Sequence, residues 1–183
     1  MKEMLGEEYA AFYASYDLPK YQALRINPLK TERDTFLLQA PFSLNRVPWT
    51  TNGYYYSGND QPGRHPYHEA GVYYIQEPSA MAPAEYLMAE PGERILDLCA
   101  APGGKSTQIA CSMQGEGLIV CNEIHPARAK ILSENIERMG VCNALVTNET
   151  PQKLSDNFRE YFDRILVDAP CSCEGMFLSL IHI

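Results

Sequence analysis

The stretch Arg94–Thr107, Arg-Ile-Leu-Asp-Leu-Cys-Ala-Ala-Pro-Gly-Gly-Lys-Ser-Thr, constrains this chain more than any other. Ile95, Leu96 and Leu98 form a short apolar run of the kind that makes a parallel strand buried on both faces. Five small residues and a proline follow, and Lys105 then opens a helical stretch that runs to Met113. A strand, a tight small-residue turn and a helix bring backbone N–H groups and a helix N-terminus close to a ligand.

Asp97, Cys99, Ala101 and Gly103 fall at alternate positions, so an acid precedes three small side chains. This follows the Asp-x-Gly-x-Gly-x-Gly logic of S-adenosylmethionine sites, with Cys and Ala in two of the glycine places. The backbone still permits close approach, and the acid can meet the ligand's ammonium end. A Walker A loop needs glycine five residues before Gly104, where this chain has Cys99. The G-x-G-x-x-G fingerprint of pyrophosphate cofactors is also missing. The plain alternative is an ordinary strand-to-helix turn.

At 183 residues the chain allows one or two small domains. No apolar run is long enough to span a membrane, and the N-terminus lacks a signal peptide's basic start and apolar core. A cytoplasmic location is therefore expected. The six cysteines (Cys99, Cys111, Cys121, Cys142, Cys171 and Cys173) have no paired C-x-x-C spacing, so no zinc site and no metal is expected. A net charge of −8 argues against a freestanding nucleic-acid clamp, though not against an enzyme with a local basic surface.

Leu5, Tyr9, Phe12, Tyr13 and Tyr16 share one helical face and are expected in the core. Gln22–Asn27 reads as a strand stopped by Asn27-Pro28, and Thr31 with Asp34 resembles a capping box. Arg46–Trp49, Gly53–Ser57 and Gly71–Gln76 read as strands, and Pro78-Ser79 opens a helix through Met88. These elements make a small α+β unit over 1–88. Within it His65 and His68 have a metal-like separation but lack Cys or acid partners. Arg25 and Lys30 flank a strand end where they can touch phosphate, although lone cations are ordinarily solvated surface.

From Pro91 the pattern is βαβαβαβ. Leu118–Cys121 is the second strand of this series, and the acid after it, Glu123, can accept both ribose hydroxyls of an adenosine cofactor. It also suits the N-terminus of the helix starting at Pro126. That helix, with Ala127, Ile131, Ile136 and Met139 inward, stops at Gly140. Ala144–Val146 is the third strand, followed by Asn148 and Glu149, where an amide or acid can reach the adenine edge. Phe162–Val167 is the fourth and ends in Asp168-Ala169-Pro170-Cys171.

Leu24–Lys30 (LRINPLK), Gly71–Met81 (GVYYIQEPSAM), Ile95–Ala110 (ILDLCAAPGGKSTQIA), Asn122-Glu123 and Arg164–Phe177 (RILVDAPCSCEGMF), in this order, resemble the Sun-type (Fmu-like) RNA cytosine-C5 methyltransferases. The resemblance implies a class I, Rossmann-like α/β sheet over 89–177, preceded by an RRM-like unit that helps hold RNA. It implies S-adenosylmethionine at Cys99, Ala100, Ala101, Pro102, Gly103, Gly104, Lys105, Glu123, Arg128, Asn148, Glu149 and Asp168. It also implies ribosomal RNA as substrate and a monomeric full-length protein. Cytosine carbon 5 is a poor nucleophile, so a thiolate first adds to carbon 6 and the resulting enamine takes the methyl group. Asp168 would bond the ring-nitrogen edge and Pro170 would fix the Cys171 thiol beside the base.

By analogy with DNA cytosine methyltransferases Cys171 would attack. In the resembled RNA family the attacker is a cysteine in a later Thr-Cys motif, and the Cys171 thiol assists product release. That motif is not found in the 183 residues. Cys173 stands where the family usually has Gly, and Leu178–Ile183 (LSLIHI) departs from the family's basic, polar continuation. Those six residues match a reading frame through a transposase adaptor used in sequencing libraries. The expectation is a C-terminally truncated frame with a non-native tail over 178–183. The fragment would be catalytically inactive, with Ile165–Asp168 as an exposed apolar sheet edge. A non-catalytic module that binds S-adenosylmethionine or RNA is the alternative.

Overall fold

A computed structural model describes residues 2–17 and 20–169. Cys171, Cys173 and the 178–183 tail lie outside the described residues. The chain opens with two short helices, α1 (Lys2–Leu5) and α2 (Tyr9–Ala14), separated by a 3-10 turn at Gly6–Glu8. None of their residues is buried, so the aromatic stripe is not core. The polar Gly-Glu-Glu turn, with Gly6 at φ +51°, interrupts the helical period. The rings pair with one another instead, Tyr9 on Tyr13 and Phe12 on Tyr16.

The first sheet contains β1 (Gln22–Ile26), β2 (Leu44–Arg46), β3 (Gly53–Tyr56) and β4 (Tyr73–Ile75). Helix α3 (Arg33–Gln39) connects β1 to β2, and α4 (Pro66–Glu69) lies between β3 and β4. The strand order is β2-β3-β1-β4 and every pairing is antiparallel, which is the βαββαβ topology expected of an RRM-like unit. On one face Leu24, Ile26, Tyr54 and Tyr73 enclose Phe36 of α3. The expected capping box does not form. Asp34 pairs with Arg33, and the N-cap position belongs to Glu32 without a side-chain cap.

An antiparallel sheet usually leaves one face to solvent, yet Ala23, Leu24, Arg25 and Ile26 are all buried. The second face is closed by the next part of the chain. Helix α5 (Ala82–Leu87) follows a 3-10 turn at Ser79–Met81, and Met81 packs against Ala23 and Val47.

The second sheet contains β5 (Arg94–Asp97), β6 (Leu118–Asn122), β7 (Ala144–Thr147) and β8 (Arg164–Leu166). All pairings are parallel in the order β7-β6-β5-β8. The order reverses between β5 and β8, and ligands bind beyond the carboxyl ends of strands at such a switch point. The crossover helices are α6 (Gly104–Met113), α7 (Pro126–Met139) and α8 (Pro151–Asn157). Ile95, Ile109, Ala110, Met113, Ile119 and Leu132 form the main core.

Three sequence expectations change here. On α7 the buried positions are Ala129, Leu132, Ile136 and Met139, whereas Ala127 and Ile131 face outward. Cysteines without metal-like spacing are expected as small buried hydrophobes; Cys111 and Cys121 are core, but Cys142 is exposed. Phe162 precedes β8 rather than starting it, and packs with Phe158 against Leu96, Val120 and Leu154. No helix among the described residues is long and apolar enough to cross a membrane.

Candidate functional site

The bend after β5 is fixed from three directions. Ala100 N–H donates to Asn122 O of β6 at 2.8 Å, and Gly103 N–H turns back to Ala100 O at 2.8 Å. Arg128 on α7 donates to Ala101 O at 2.9 Å, and Asn135 donates to Pro102 O at 2.9 Å. Gly103 caps α6 at φ +111°, and a Cβ there would also press on Leu132. Only glycine takes that conformation without strain.

A cavity of about 240 Å³ opens beside this bend. Asp97, Cys99, Ala100, Ala101, Pro102, Gly104, Lys105 and Asp168 line one side of it. Tyr74, Ile75, Gln76, Glu77 and Ala80 of the first unit line the other. Asp97 is 1% exposed; its Oδ2 accepts a bond from the Ser106 hydroxyl at 2.7 Å, while its buried Oδ1 has no partner among the described residues. Burial pushes the Asp97 carboxyl up to about 6, against the pull of Ser106 and Lys105. Lys105 Nζ reaches Asp168 Oδ2 at 2.6 Å, joining the first turn of α6 to the chain just past β8 across the switch point.

Burial also raises the Cys99 thiol, and the carboxylates of Asp97, Glu123 and Asp168 push it the same way. The three acids thus converge on the bend. Cys99 is therefore a neutral wall residue, not a thiolate.

Glu123 is buried behind the bend, its Oε2 3.2 Å from Arg128 Nη1 and its Oε1 accepting from His125 N–H. Asn148 donates to Glu123 O at 2.6 Å. Glu149 is held through its backbone by Asn122, while its side chain meets Lys153 at 2.9 Å. Glu123, Arg128, Asn148 and Glu149 do not line the cavity; they form an adjoining shelf at the ends of β6 and β7. The two groups of expected site residues are therefore neighbours on one sheet end.

Arg25 does not sit where it could touch phosphate, whereas Lys30 is exposed as a surface cation would be and its ammonium rests on two carbonyls. Arg25 is 1% exposed and donates to Gln76 Oε1, Gly104 O and Thr107 Oγ1. Lys30 donates to Ala70 O and Arg138 O, both at 2.7 Å. His65 caps α4 by accepting from Tyr67 N–H, and no group of three or more metal-ligating residues occurs among the described residues. Sequence reasoning missed Tyr74, Gln76 and Glu77 as cavity wall. The apolar residues on both faces of β4, followed by a polar Gln-Glu end, carried that signal.

The model of the N-terminal domain of 16S rRNA methyltransferase RsmF matches residues 1–78. The 16S rRNA methyltransferase RsmB/F model matches residues 84–179, more than half of the chain. The chain belongs to the RsmB/F family of 16S rRNA methyltransferases.

Among curated relatives, ribosomal RNA small subunit methyltransferase F of Erwinia tasmaniensis is 38% identical over 187 residues. That alignment covers 96% of this chain and 39% of the relative. The same-named protein of Escherichia coli O157:H7 is 39% identical over 174 residues, covering 90% and 36%. The chain thus spans less than two-fifths of the length of these relatives. A crystal structure of a methyltransferase homolog protein from Pyrococcus horikoshii superposes with a TM-score of 0.82 at 31% identity, covering 91% of this chain and 56% of that one. NSun6 from Pyrococcus horikoshii, at 20% identity, shares the fold with a TM-score of 0.79 over 93% and 68%.

Proposed function

We propose that this chain carries the S-adenosylmethionine-binding part of a methyltransferase that modifies carbon 5 of a cytosine in ribosomal RNA, in the cytoplasm. The observation that carries the reading is the buried, unpartnered Asp97 oxygen beside a small-residue bend at the sheet's switch point. A buried carboxyl oxygen without a donor is costly, and a ligand ammonium group would supply one.

When bound, the cofactor supplies a methyl group activated by its sulfonium. The chain's own residues bind and orient. Asp97 takes the ammonium end, and Glu123, paired with Arg128, accepts the ribose hydroxyls. Asn148 and Glu149 border the adenine, and the bend from Cys99 to Lys105 lies along the ligand's length. Asp168, held by Lys105, borders the target base. Cys171 follows Asp168 closely in sequence and is the thiol assigned to product release.

The relatives' names support an RNA substrate. The chain covers only part of their length, so cofactor capture is the activity assigned to this stretch, and methyl transfer to the whole protein, acting as a monomer. Calorimetric titration with S-adenosylmethionine tests the reading. Saturable one-to-one binding, lost in Asp97→Ala, is expected; no binding by the folded chain would overturn it. Incubation with tritiated cofactor and small-subunit RNA is expected to leave the RNA unlabelled. Labelling would instead place the whole reaction in this chain.

A further inference from the structure

Resting on the cofactor reading above, we propose that Arg25 of the first sheet is a positioning residue for the carboxylate end of the cofactor. Arg25 does not line the cavity. It sits directly behind the bend, where its Nη2 donates to Gly104 O at 3.1 Å and to Thr107 Oγ1 at 2.8 Å. Thr107 Oγ1 in turn donates to Gly103 O at 2.8 Å. The Nε atom donates to Gln76 Oε1 at 3.1 Å, and Gln76 is itself a cavity wall residue. The guanidinium therefore grips both walls, the bend on one side and the end of β4 on the other.

Its charge has no opposite charge in contact. Among the described residues no carboxylate lies within ion-pair distance of Arg25, whose neighbours are neutral oxygens, the Cys111 thiol and the Tyr74 ring. Glu85 acts on it only from beyond that distance. A buried cation without a contacting counter-charge is expensive. Its position at the first turn of α6 adds to the cost, because the helix dipole is positive there. The guanidinium is held there by neutral acceptors alone, so it fixes the backbone at Gly104 and the Gln76 side chain on either side of the cavity.

The cavity lining otherwise carries the acids Asp97, Asp168 and Glu77, with Lys105 committed to Asp168. A zwitterionic amino-acid group fits this polarity. Its ammonium goes to the orphan Asp97 oxygen, and its carboxylate goes toward the bend that Arg25 backs. The first unit then acts as part of the cofactor site and not merely as an RNA-binding appendage.

The test compares S-adenosylmethionine with its decarboxylated analogue, which keeps the sulfonium and ammonium but lacks the carboxylate. Wild-type chain is expected to prefer the carboxylated form by about tenfold or more, the scale of a hydrogen bond to a charged group. Arg25→Met is expected to bring that ratio close to one. Arg25→Lys, which keeps the charge without the fork, is expected to retain part of it, and it serves if Arg25→Met fails to fold in a melting control. Equal wild-type affinity for both ligands overturns the proposal, as does a variant that weakens both in parallel. Wild-type chain binding neither ligand would overturn the cofactor reading itself.

Discussion

The Ser106 hydroxyl donates to Asp97 Oδ2 at 2.7 Å, tying the end of β5 to the first turn of α6 and leaving Oδ1 bare. Burial raises the Asp97 carboxyl to about 6. Its neutral form is the one the fold prefers, so this residue's contribution to stability is fully present below the unfolded-state value near ~3.9. That contribution is lost as pH rises through about 6. Asp97→Asn should therefore stabilise the ligand-free chain by about 2–3 kcal/mol at pH 7.5 and by almost nothing at pH 4. Urea unfolding at the two pH values measures this. A gain of equal size at both would show that the charge is not the cause.

The bend was legible because its chemistry is local. Acid, small residues and helix start are contiguous in Asp97–Lys105, and the structure puts them at a strand end beside a cavity. The order of the elements and the parallel sheet were legible for the same reason, since hydrophobic period follows each strand and helix. What failed depended on partners distant in sequence. Arg25 looks like a surface cation until α6 is laid against β1. The stripe on α1 and α2 looks like core, yet none of the described residues buries it. The free face of an RRM-type sheet is where aromatic side chains stack bases. Here that face is filled by Met81 and α6, which no local pattern announces.

Asn27 joins the two units. Its Nδ2 donates to Gly71 O and to Met139 O at the end of α7, both at 2.8 Å, and its Oδ1 accepts from Leu29 N–H. It is fully buried. Asn27→Ala strands two carbonyls and should cost about 3 kcal/mol, read as a lower urea midpoint. Gly71→Ala is expected to be at least as damaging. Gly71 sits at φ +68°, and its added Cβ would meet Arg138 O at 2.1 Å.

Glu123 offers a contrast with Arg25. Its carboxylate is buried against Arg128, which also holds Ala101 O. Glu123→Gln is expected to weaken S-adenosylmethionine and 5′-methylthioadenosine alike, by roughly ten- to a hundredfold, because both ligands carry the ribose. Calorimetry with the two ligands measures it. Loss confined to S-adenosylmethionine would move Glu123 away from the ribose.

Among the described residues β8 pairs with β5 on one side only, and Ile165 and Val167 are each more than half exposed. They line an open apolar groove of about 680 Å³ with Leu96, Leu98, Phe158 and Phe162. An unpaired strand edge beside exposed apolar side chains is a template for association. The purified chain is therefore expected to self-associate at micromolar concentration, seen by sedimentation velocity. Ile165→Lys places a charge on the exposed face without touching the buried core, so it should shift the distribution toward monomer while leaving the melting temperature within a few degrees. An unchanged distribution would locate the association elsewhere, with the open aromatic stripe of α1 and α2 the next surface to substitute.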